Sequence, residues 1–288
     1  MAPLLSLTVL VDNNTIIDHY FSGEPGLSFL ITTQGKKILF DTGYSDLFLK
    51  NAKEMGENLL DLDMVVLSHG HFDHTGGLPA LIRHLNQAVI ENIPVTIPTV
   101  VTHPFCFYPR PKLPLPNIGS LISEEELRRQ FSFVTSTGPH WLTNDLVFLG
   151  QIERKFDFEY TAAGKRKILV PDGSMMDDQL LDDTALAFRS ENGLVIITGC
   201  SHSGICNIVE QAKMVCEEER IVDIIGGLHL ISPDQPRLEK TVSHLRDLHL
   251  ASLHACHCTS LSSKIALAGD CHLQEVGVGM TLHWDSSQ

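Results

Sequence analysis

Residues 65–78 read VVLSHGHFDHTGGL, a short apolar run followed by three histidines and one aspartate within six positions. The apolar run is typical of a buried β-strand, and the two glycines lead into a helical pattern. Imidazole and carboxylate are ligands that zinc, iron and manganese prefer. His69 and His71, two apart in an extended turn, can hold one ion, while Asp73 and His74 project towards a second. The stretch predicts a dinuclear metal centre.

The composition describes a folded, acidic protein. The chain has 288 residues, of which 43% are hydrophobic and 19% charged, enough for one large core or two small ones. Its formal net charge of -14 makes nucleic-acid binding a poor hypothesis, because phosphate contacts need clustered lysine and arginine. We therefore expect a small-molecule substrate and no nucleic-acid partner.

Cysteine usage and hydropathy bear on the cellular compartment. Seven cysteines, an odd number scattered along the chain, do not form the pattern of a disulfide framework. Residues 1–11 are apolar but lack a basic leader, and no apolar run approaches the roughly 18 residues of a membrane span. These features predict a cytoplasmic protein that does not enter a membrane.

Short apolar runs between turn residues predict many β-strands. The predicted strands cover residues 7–11, 27–32, 37–40, 64–67, 147–151, 165–170, 180–189, 194–198, 222–225, 250–253 and 278–283, and the predicted helices cover residues 46–55, 78–85, 205–217 and 262–267. Gln34-Gly35 is the expected turn of an early hairpin. Residues 93–101 alternate β-branched residues with prolines, which favours an edge strand at best. Asp182 and Asp183 are interpreted as ordinary turn carboxylates.

A second strand, loop and helix repeat the pattern of the first. Residues 194–198 are apolar, and Gly199-Cys200-Ser201-His202-Ser203-Gly204 separates them from a helical pattern. The repetition makes His202 the expected third imidazole on the ion held by His69 and His71.

Asp41 ends the predicted strand at residues 37–40 and precedes Thr42-Gly43. A carboxylate at a strand end can orient a metal-binding histidine through its free ring nitrogen. The same residues would also suit a plain turn or an N-cap of the helix at residues 46–55. The local sequence does not separate these two roles.

Residues 103–116, HPFCFYPRPKLPLP, contain five prolines and interleave aromatic with basic side chains. So many prolines predict a rigid, irregular loop, hereafter the proline-rich loop (residues 103–120). We interpret it as a lid or wall over the metal site that stacks on an aromatic substrate and holds an anionic group. The alternative is a surface excursion. The candidate substrate-binding residues are His103, Phe105, Tyr108, Arg110 and Lys112.

The H-x-H-x-D-H spacing of residues 69–74 resembles the metal-binding signature of the metallo-β-lactamase superfamily. The resemblance implies an α+β fold, a four-layer αββα sandwich with metals at one edge, built as one domain over residues 1–288. The chain is also similar to the subgroup labelled 7,8-dihydropterin-6-methyl-4-(β-D-ribofuranosyl)aminobenzene-5′-phosphate synthase. The matching segments are Gly26-Leu27-Ser28-Phe29-Leu30, Asp41-Thr42-Gly43, residues 69–74, Ile152-Glu153-Arg154, Asp183-Thr184-Ala185-Leu186, Gly199 to Ile205, Gly226-Gly227-Leu228-His229-Leu230 and His257-Cys258-Thr259. An Asp-Thr-Gly recurs in the superfamily, which favours the orienting role of Asp41.

The resemblance also implies the ligands of the second ion. The superfamily's final ligand is a histidine after the last core strand. His257 fits best because it immediately precedes Cys258-Thr259, and His254 is the reserve candidate. His257 would join Asp73 and His74 on this ion.

One departure from the superfamily pattern concerns the bridge between the ions. Many members supply a bridging aspartate after the strand at residues 222–225, where this chain has Gly226-Gly227-Leu228-His229 and no carboxylate. We expect His229 to face the site as a ligand or a substrate contact. Cys200 is interpreted as a small core residue beside the site and not as a nucleophile.

The leading hypothesis is an enzyme with two divalent ions, zinc first and iron or manganese as alternatives. A metal-bound hydroxide would attack carbon or phosphorus, with Asp73 and His229 as catalytic candidates. The subgroup label implies hydrolase-type or synthase-like chemistry on a substrate with a pterin, an aromatic amine and a phosphate. The alternatives are a non-catalytic, metal-dependent ligand sensor and a redox diiron protein, which typically carries a glutamate where His71 stands and an added flavin domain.

Overall fold

The computed structural model describes residues 5–112, 114–160 and 166–284. The strands are β1 Leu5–Val11, β2 Ser28–Thr33, β3 Lys36–Phe40, β4 Met64–Val66, β5 Thr99–Thr102, β6 Ser132–Thr135, β7 His140–Trp141, β8 Leu146–Phe148, β9 Lys167–Leu169, β10 Met175–Asp177, β11 Ala185–Ser190, β12 Gly193–Thr198, β13 Ile221–Gly227, β14 Ser252–Cys256 and β15 Thr281–Trp284. The helices are α1 Leu47–Glu54, α2 Phe72–Thr75, α3 Leu78–Ile90, α4 Glu124–Arg128, α5 Ile205–Cys216, α6 Gln235–Asp247 and α7 Leu261–Ala268. The predicted strand at residues 165–170 begins outside the described residues and is seen as β9.

Two mixed sheets lie face to face. The first has the strand order β15-β1-β2-β3-β4-β5-β6, and the second has the order β14-β13-β12-β11-β8-β7. Apolar side chains of both sheets, among them Phe29, Phe40, Phe188 and Ile197, form one buried cluster between them. Burial of this apolar surface is the main force that holds the sheets together. Strands β9 and β10 pair as a separate ribbon.

Helices cover the outer face of each sheet. Phe48 of α1 and Leu39 of β3 belong to one buried apolar cluster, and Ile208 of α5 and Ile224 of β13 belong to another. The architecture is therefore the αββα sandwich of an α+β fold, as predicted. Within the described ranges, every helix is too short or too polar to cross a lipid bilayer.

The strand pairing confirms one turn prediction and corrects one strand prediction. Thr33 pairs with Lys36, and Gln34 and Gly35 both have positive φ angles, 48° and 74°, the conformation that matches the twist of a tight hairpin. The edge-strand prediction for residues 93–101 is wrong. Strand β5 begins only after Pro98 and lies between β4 and β6, so the prolines precede the paired residues and cost the sheet no hydrogen bond.

The candidate site lies at one edge of the sandwich because several strands end there. Strands β3 and β4 run parallel in the first sheet, and β12, β13 and β14 run parallel in the second. The carboxyl ends of parallel strands meet at a common edge, where open α/β sheets usually place their ligands. The loops after these strands carry the histidines and carboxylates described next.

Candidate metal centre

Three imidazoles converge after β4 and β12. His69 Nε2 lies 3.0 Å from His71 Nδ1, which lies 3.2 Å from His202 Nε2. Metal–nitrogen bonds of about 2.1 Å place neighbouring ligand atoms at about this separation around one ion. His69, His71 and His202, hereafter the neutral set, are the three histidines that the sequence assigned to the first ion, and the structure brings them together.

The neutral set resists protonation. Burial lowers the pKa of His69 and His202 well below the usual imidazole value, and neighbouring imidazoles lower it further. Burial, followed by the Arg110 guanidinium, lowers the pKa of His71 to about 3. Uncharged rings keep the lone pairs that a cation needs, so the donor set suits a bound divalent metal.

Hydrogen bonds fix which nitrogen of His69 faces the centre. The Ser68 hydroxyl donates to Asp41 Oδ2 at 2.6 Å, so its oxygen accepts from His69 Nδ1, which is 2.9 Å away. His69 Nε2 therefore carries the lone pair. Asp41 also accepts the Ser68 amide at 2.7 Å, which fixes the start of the histidine loop.

A second group of donors lies beside the first. His74 Nε2 is 3.2 Å from His257 Nε2 and 3.8 Å from Asp73 Oδ2, and His257 Nε2 is 3.5 Å from that oxygen. Asp73, His74 and His257 are hereafter the acidic set. They are the residues that the sequence assigned to the second ion, drawn here from the ends of β4 and β14.

Carboxylates surround His74. His74 Nδ1 contacts Asp41 Oδ2 at 2.6 Å, with both side chains fully buried. Burial lowers the pKa of His74, but the Asp41 and Asp73 carboxylates outweigh it and raise that pKa to about 9. Burial raises the pKa of Asp73, but His74, His257 and His71 outweigh it and lower that pKa. This negative field suits a cation, and Asp41 has the orienting role that one of its two interpretations predicted.

Asp12 supports His257, a role that sequence reasoning missed. The His257 amide donates to Asp12 Oδ1 at 2.8 Å, and His257 Nδ1 lies 3.3 Å from Asn13 Oδ1. Asp12 is fully buried. The available signal was its position directly after β1, which runs parallel to β3 and therefore ends at the same edge.

His254 belongs to a different network. His254 Nδ1 lies 2.9 Å from Asp223 Oδ1, and Trp284 Nε1 donates to Asp223 Oδ2 at 3.2 Å. Both members of the His254–Asp223 pair are buried within the second sheet. Of the two candidates for the final ligand, His257 is therefore the one that meets the acidic set.

Left-handed backbone recurs in the loops of the site. Asp41, Ser201, His229 and His257 have φ angles of 57°, 57°, 49° and 48°. Such angles are uncommon outside glycine and cost free energy, which the surrounding hydrogen bonds must offset. These strained residues lie in the loops that follow the strands, where the chain turns sharply at the edge of the centre.

Arg110, a candidate substrate-binding residue, is buried within the protein and is held there by ion pairs. Its side chain is fully buried and forms ion pairs with Asp178 at 3.0 Å and Asp182 at 2.6 Å. It also donates to the Cys106 carbonyl at 3.1 Å. A Cβ atom at Gly70 would lie 1.8 Å from that carbonyl oxygen, so only glycine fits between His69 and His71. Arg110 therefore supports the histidine loop after β4.

Asp182 and Asp183 each hold one histidine loop and are not ordinary turn carboxylates. Asp182 Oδ2 accepts the Gly70 amide at 2.8 Å. Asp183 Oδ2 accepts the Ser203 amide at 2.8 Å and the Ser203 hydroxyl at 2.5 Å. Burial raises the pKa of Asp183 to about 6. The two adjacent carboxylates thus tie the loops after β4 and β12 to one turn.

The rings of His103, Phe105 and Tyr108 in the proline-rich loop pack against one another. His103 is buried, and the rings of Phe105 and Tyr108 stack with centroids 5.1 Å apart. Among the described residues, these three side chains do not line the cavity over the centre, whereas Lys112 does. These three side chains pack against one another and lie outside the cavity lining, so their position does not support direct contact with a substrate.

An open cavity of about 750 Å³ lies above both donor sets. Its floor includes His229, whose ring centroid lies 4.1 Å from that of His202 and whose Nδ1 is buried without a hydrogen-bond partner. Two cationic side chains, Lys112 and Arg166, line the cavity. Arg166 was missed because its sequence neighbourhood carries no motif. The apolar part of the lining includes Phe72, Leu115, Ile118 and Ile231.

Comparison with known proteins shows the family of this chain. The sequence model of the metallo-beta-lactamase superfamily matches residues 22–215. The 7,8-dihydropterin-6-methyl-4-(beta-D-ribofuranosyl)-aminobenzene-5'-phosphate synthase of Methanocaldococcus jannaschii is 32% identical over 257 residues, which cover 85% of this chain and 84% of that protein. An uncharacterized protein of the same organism is 27% identical over 91% of this chain and 93% of its own length. A crystal structure of a metal-dependent hydrolase of the beta-lactamase superfamily has a TM-score of 0.81 at 26% identity, and the match covers 97% of this chain and 98% of that one. The chain belongs to the metallo-β-lactamase superfamily.

Proposed function

We propose that this protein is a metal-dependent enzyme that acts on a small anionic molecule at a dinuclear centre held by the neutral and acidic sets. The supporting observation is that six donors from three separate parts of the chain converge beneath an open cavity. Polar side chains grouped in this way are costly to bury without a charge to bind. Two divalent ions would supply a hydroxide at neutral pH and a binding point for phosphate oxygens.

Side chains on the cavity floor position the reactants. Asp73 is held ionised by the neighbouring imidazoles and lines the cavity. Its carboxylate can accept a hydrogen bond from a nucleophile and orient it. His229 lies beside His202 and can contact substrate through a ring nitrogen. Both residues therefore remain the catalytic candidates.

The side chains of the cavity wall suit an aromatic, phosphorylated substrate. Lys112 and Arg166 supply positive charge that can hold a phosphate, and Phe72 and Ile118 supply apolar surface for a flat ring. The name of the M. jannaschii relative combines a pterin, an aminobenzene and a phosphate. We propose synthase-like chemistry on such a molecule, or hydrolysis of a related ester, with zinc as the first metal and iron or manganese as alternatives.

Metal analysis and activity together test this function. After metal-replete expression and dialysis we expect about two ions per chain. The metal-loaded protein should couple a 6-hydroxymethyl-dihydropterin diphosphate with a ribofuranosylaminobenzene 5′-phosphate, so that a C–N bond forms as the C–O bond to the departing diphosphate breaks, or cleave a generic phosphodiester with water. His69→Ala should lose both metal and activity, whereas Tyr108→Ala, outside the cavity lining, should keep both. Less than about one ion per chain, or an active His69→Ala variant, would contradict the proposal.

A further inference from the structure

Cys200 lies between the two donor sets. Its Sγ is 3.2 Å from His74 Nε2. Its Sγ also lies within 4.8 Å of ligand atoms of both sets and of their neighbours, namely His69, His74, His202, His229, His257 and Cys258. A thiolate at this point can reach an ion in either set. The sequence interpretation of Cys200 as a small core residue beside the site did not include a position between the two donor sets.

The strand end that supplies a bridging aspartate in many relatives has no room for one here. A Cβ atom at Gly227 would lie 2.5 Å from Cys258 Sγ and 2.6 Å from the Gly199 carbonyl oxygen. Real Cβ atoms do not approach other atoms so closely, so a side chain at this position would displace the backbone. An acidic side chain at position 227 therefore does not fit in this fold.

We propose that Cys200, as a thiolate, is a ligand shared by the two ions and takes the place of the missing aspartate. The inference rests on the proposed dinuclear centre. On metal binding the Cys200 S–H bond breaks, its proton leaves to solvent, and the sulfur lone pairs bind the cations, so no oxidant or reductant is needed. Because thiolate is a soft ligand, the centre favours zinc or iron over magnesium or calcium.

Cys258 provides a matched control. Its Sγ accepts from the His229 amide at 3.2 Å and donates to the Cys200 carbonyl at 3.4 Å. Among the convergent donor groups of the described residues, Cys258 joins only the one with Cys200 and His257, without a member of the neutral set. It is positioned to support the loops and not to be shared between the two ions.

Cobalt(II) substitution under reducing conditions tests the assignment. A thiolate–cobalt bond gives a near-ultraviolet charge-transfer band that imidazole and carboxylate ligands do not give. We expect the band in the parent protein and in Cys258→Ser, and its loss in Cys200→Ser. Cys200→Ser should also bind the second ion more weakly by roughly tenfold or more. A band that persists in Cys200→Ser, or that only Cys258→Ser removes, would overturn the proposal.

The number of cobalt ions bound per chain distinguishes failure of the shared thiolate from failure of the dinuclear centre. Two cobalt ions per chain without a charge-transfer band would leave the dinuclear centre intact and make the shared thiolate wrong. No tightly bound cobalt would contradict both. Circular dichroism checks that Cys200→Ser is folded. If it is not, X-ray absorption of the zinc-loaded Cys258→Ser protein decides, because a sulfur neighbour of zinc is expected there and its absence would overturn the inference.

Discussion

The neutral set and the acidic set lie side by side at one edge of the sandwich but are held in opposite ways. Burial keeps His69, His71 and His202 uncharged, whereas carboxylates raise the pKa of His74 to about 9. The neutral set can therefore bind a cation only through its lone pairs, whereas the acidic set also attracts it by negative charge. The two donor sets are therefore unequal in their electrostatics, although each consists of three side chains.

The supports of the two sets also differ. The loop of the neutral set rests on the buried Arg110–Asp182 ion pair through the Gly70 amide. The acidic set rests on Asp41 at His74 and on Asp12 at His257. Changes at these supports should therefore affect one set more than the other. Three substitutions and one measurement of proton release test the contrast.

The largest effect is expected from Arg110→Met. Removing the guanidinium leaves Asp178 and Asp182 without their buried cation, which should lower the free energy of unfolding by about 3–5 kcal/mol. Urea denaturation measures this loss. Arg128→Met, which breaks an exposed pair with Glu124, is the control and should cost less than about 1 kcal/mol. If the two variants lose the same free energy of unfolding, the buried ion pairs of Arg110 do not support the loop of the neutral set more than an exposed ion pair would.

Asp41→Asn should weaken zinc binding by roughly 10–100-fold. The substitution keeps the size of the side chain but removes the charge that faces His74, while His69 is affected only through Ser68. The ion of the acidic set should therefore lose more affinity, as measured by zinc titration against a competing chelator. Asp63→Asn, at a surface pair with Lys36, is the control. An equal loss at both sites would remove the distinction.

Proton release should differ between the sets. In the apoprotein His74 remains protonated until its pKa of about 9, so an ion must displace that proton at neutral pH. Affinity at the acidic set should thus rise with pH, by up to about tenfold per unit, and level off above about pH 9. His71, with a pKa of about 3, has no proton to release at neutral pH. Calorimetry in buffers of different ionisation enthalpy measures the released protons. Equal release for both ions would contradict the contrast.

The smallest effect is expected from Asp12→Ala. The His257 amide loses its acceptor, so the acidic set should bind its ion more weakly by up to about tenfold, with the neutral set unchanged. Asp12→Asn keeps a carbonyl acceptor and should lie close to the parent protein. Chelator competition at both sites provides the measurement, and a loss confined to the neutral set would reverse the assignment of Asp12.

The parts of the site that could be predicted are those whose chemistry is local in sequence. Strand, histidine loop and helix are consecutive at residues 65–78, so their order alone indicates a site at a sheet edge. Apart from Asp41, the supports could not be predicted because packing joins distant segments. Gly70 and Asp182 are 112 positions apart. The basic residue Arg110 had no local feature that distinguishes a buried support from a substrate contact, whereas Lys112, two positions later, reaches the cavity.

The crowding at Gly227 has a consequence for substitutions at this position. Aspartate at this position collides with both the Cys258 thiol and the Gly199 backbone. An acidic side chain at position 227 would therefore need a smaller side chain in place of Cys258 together with a shift of the loop at Gly199. A single substitution at Gly227 is not enough, because it leaves both collisions in place.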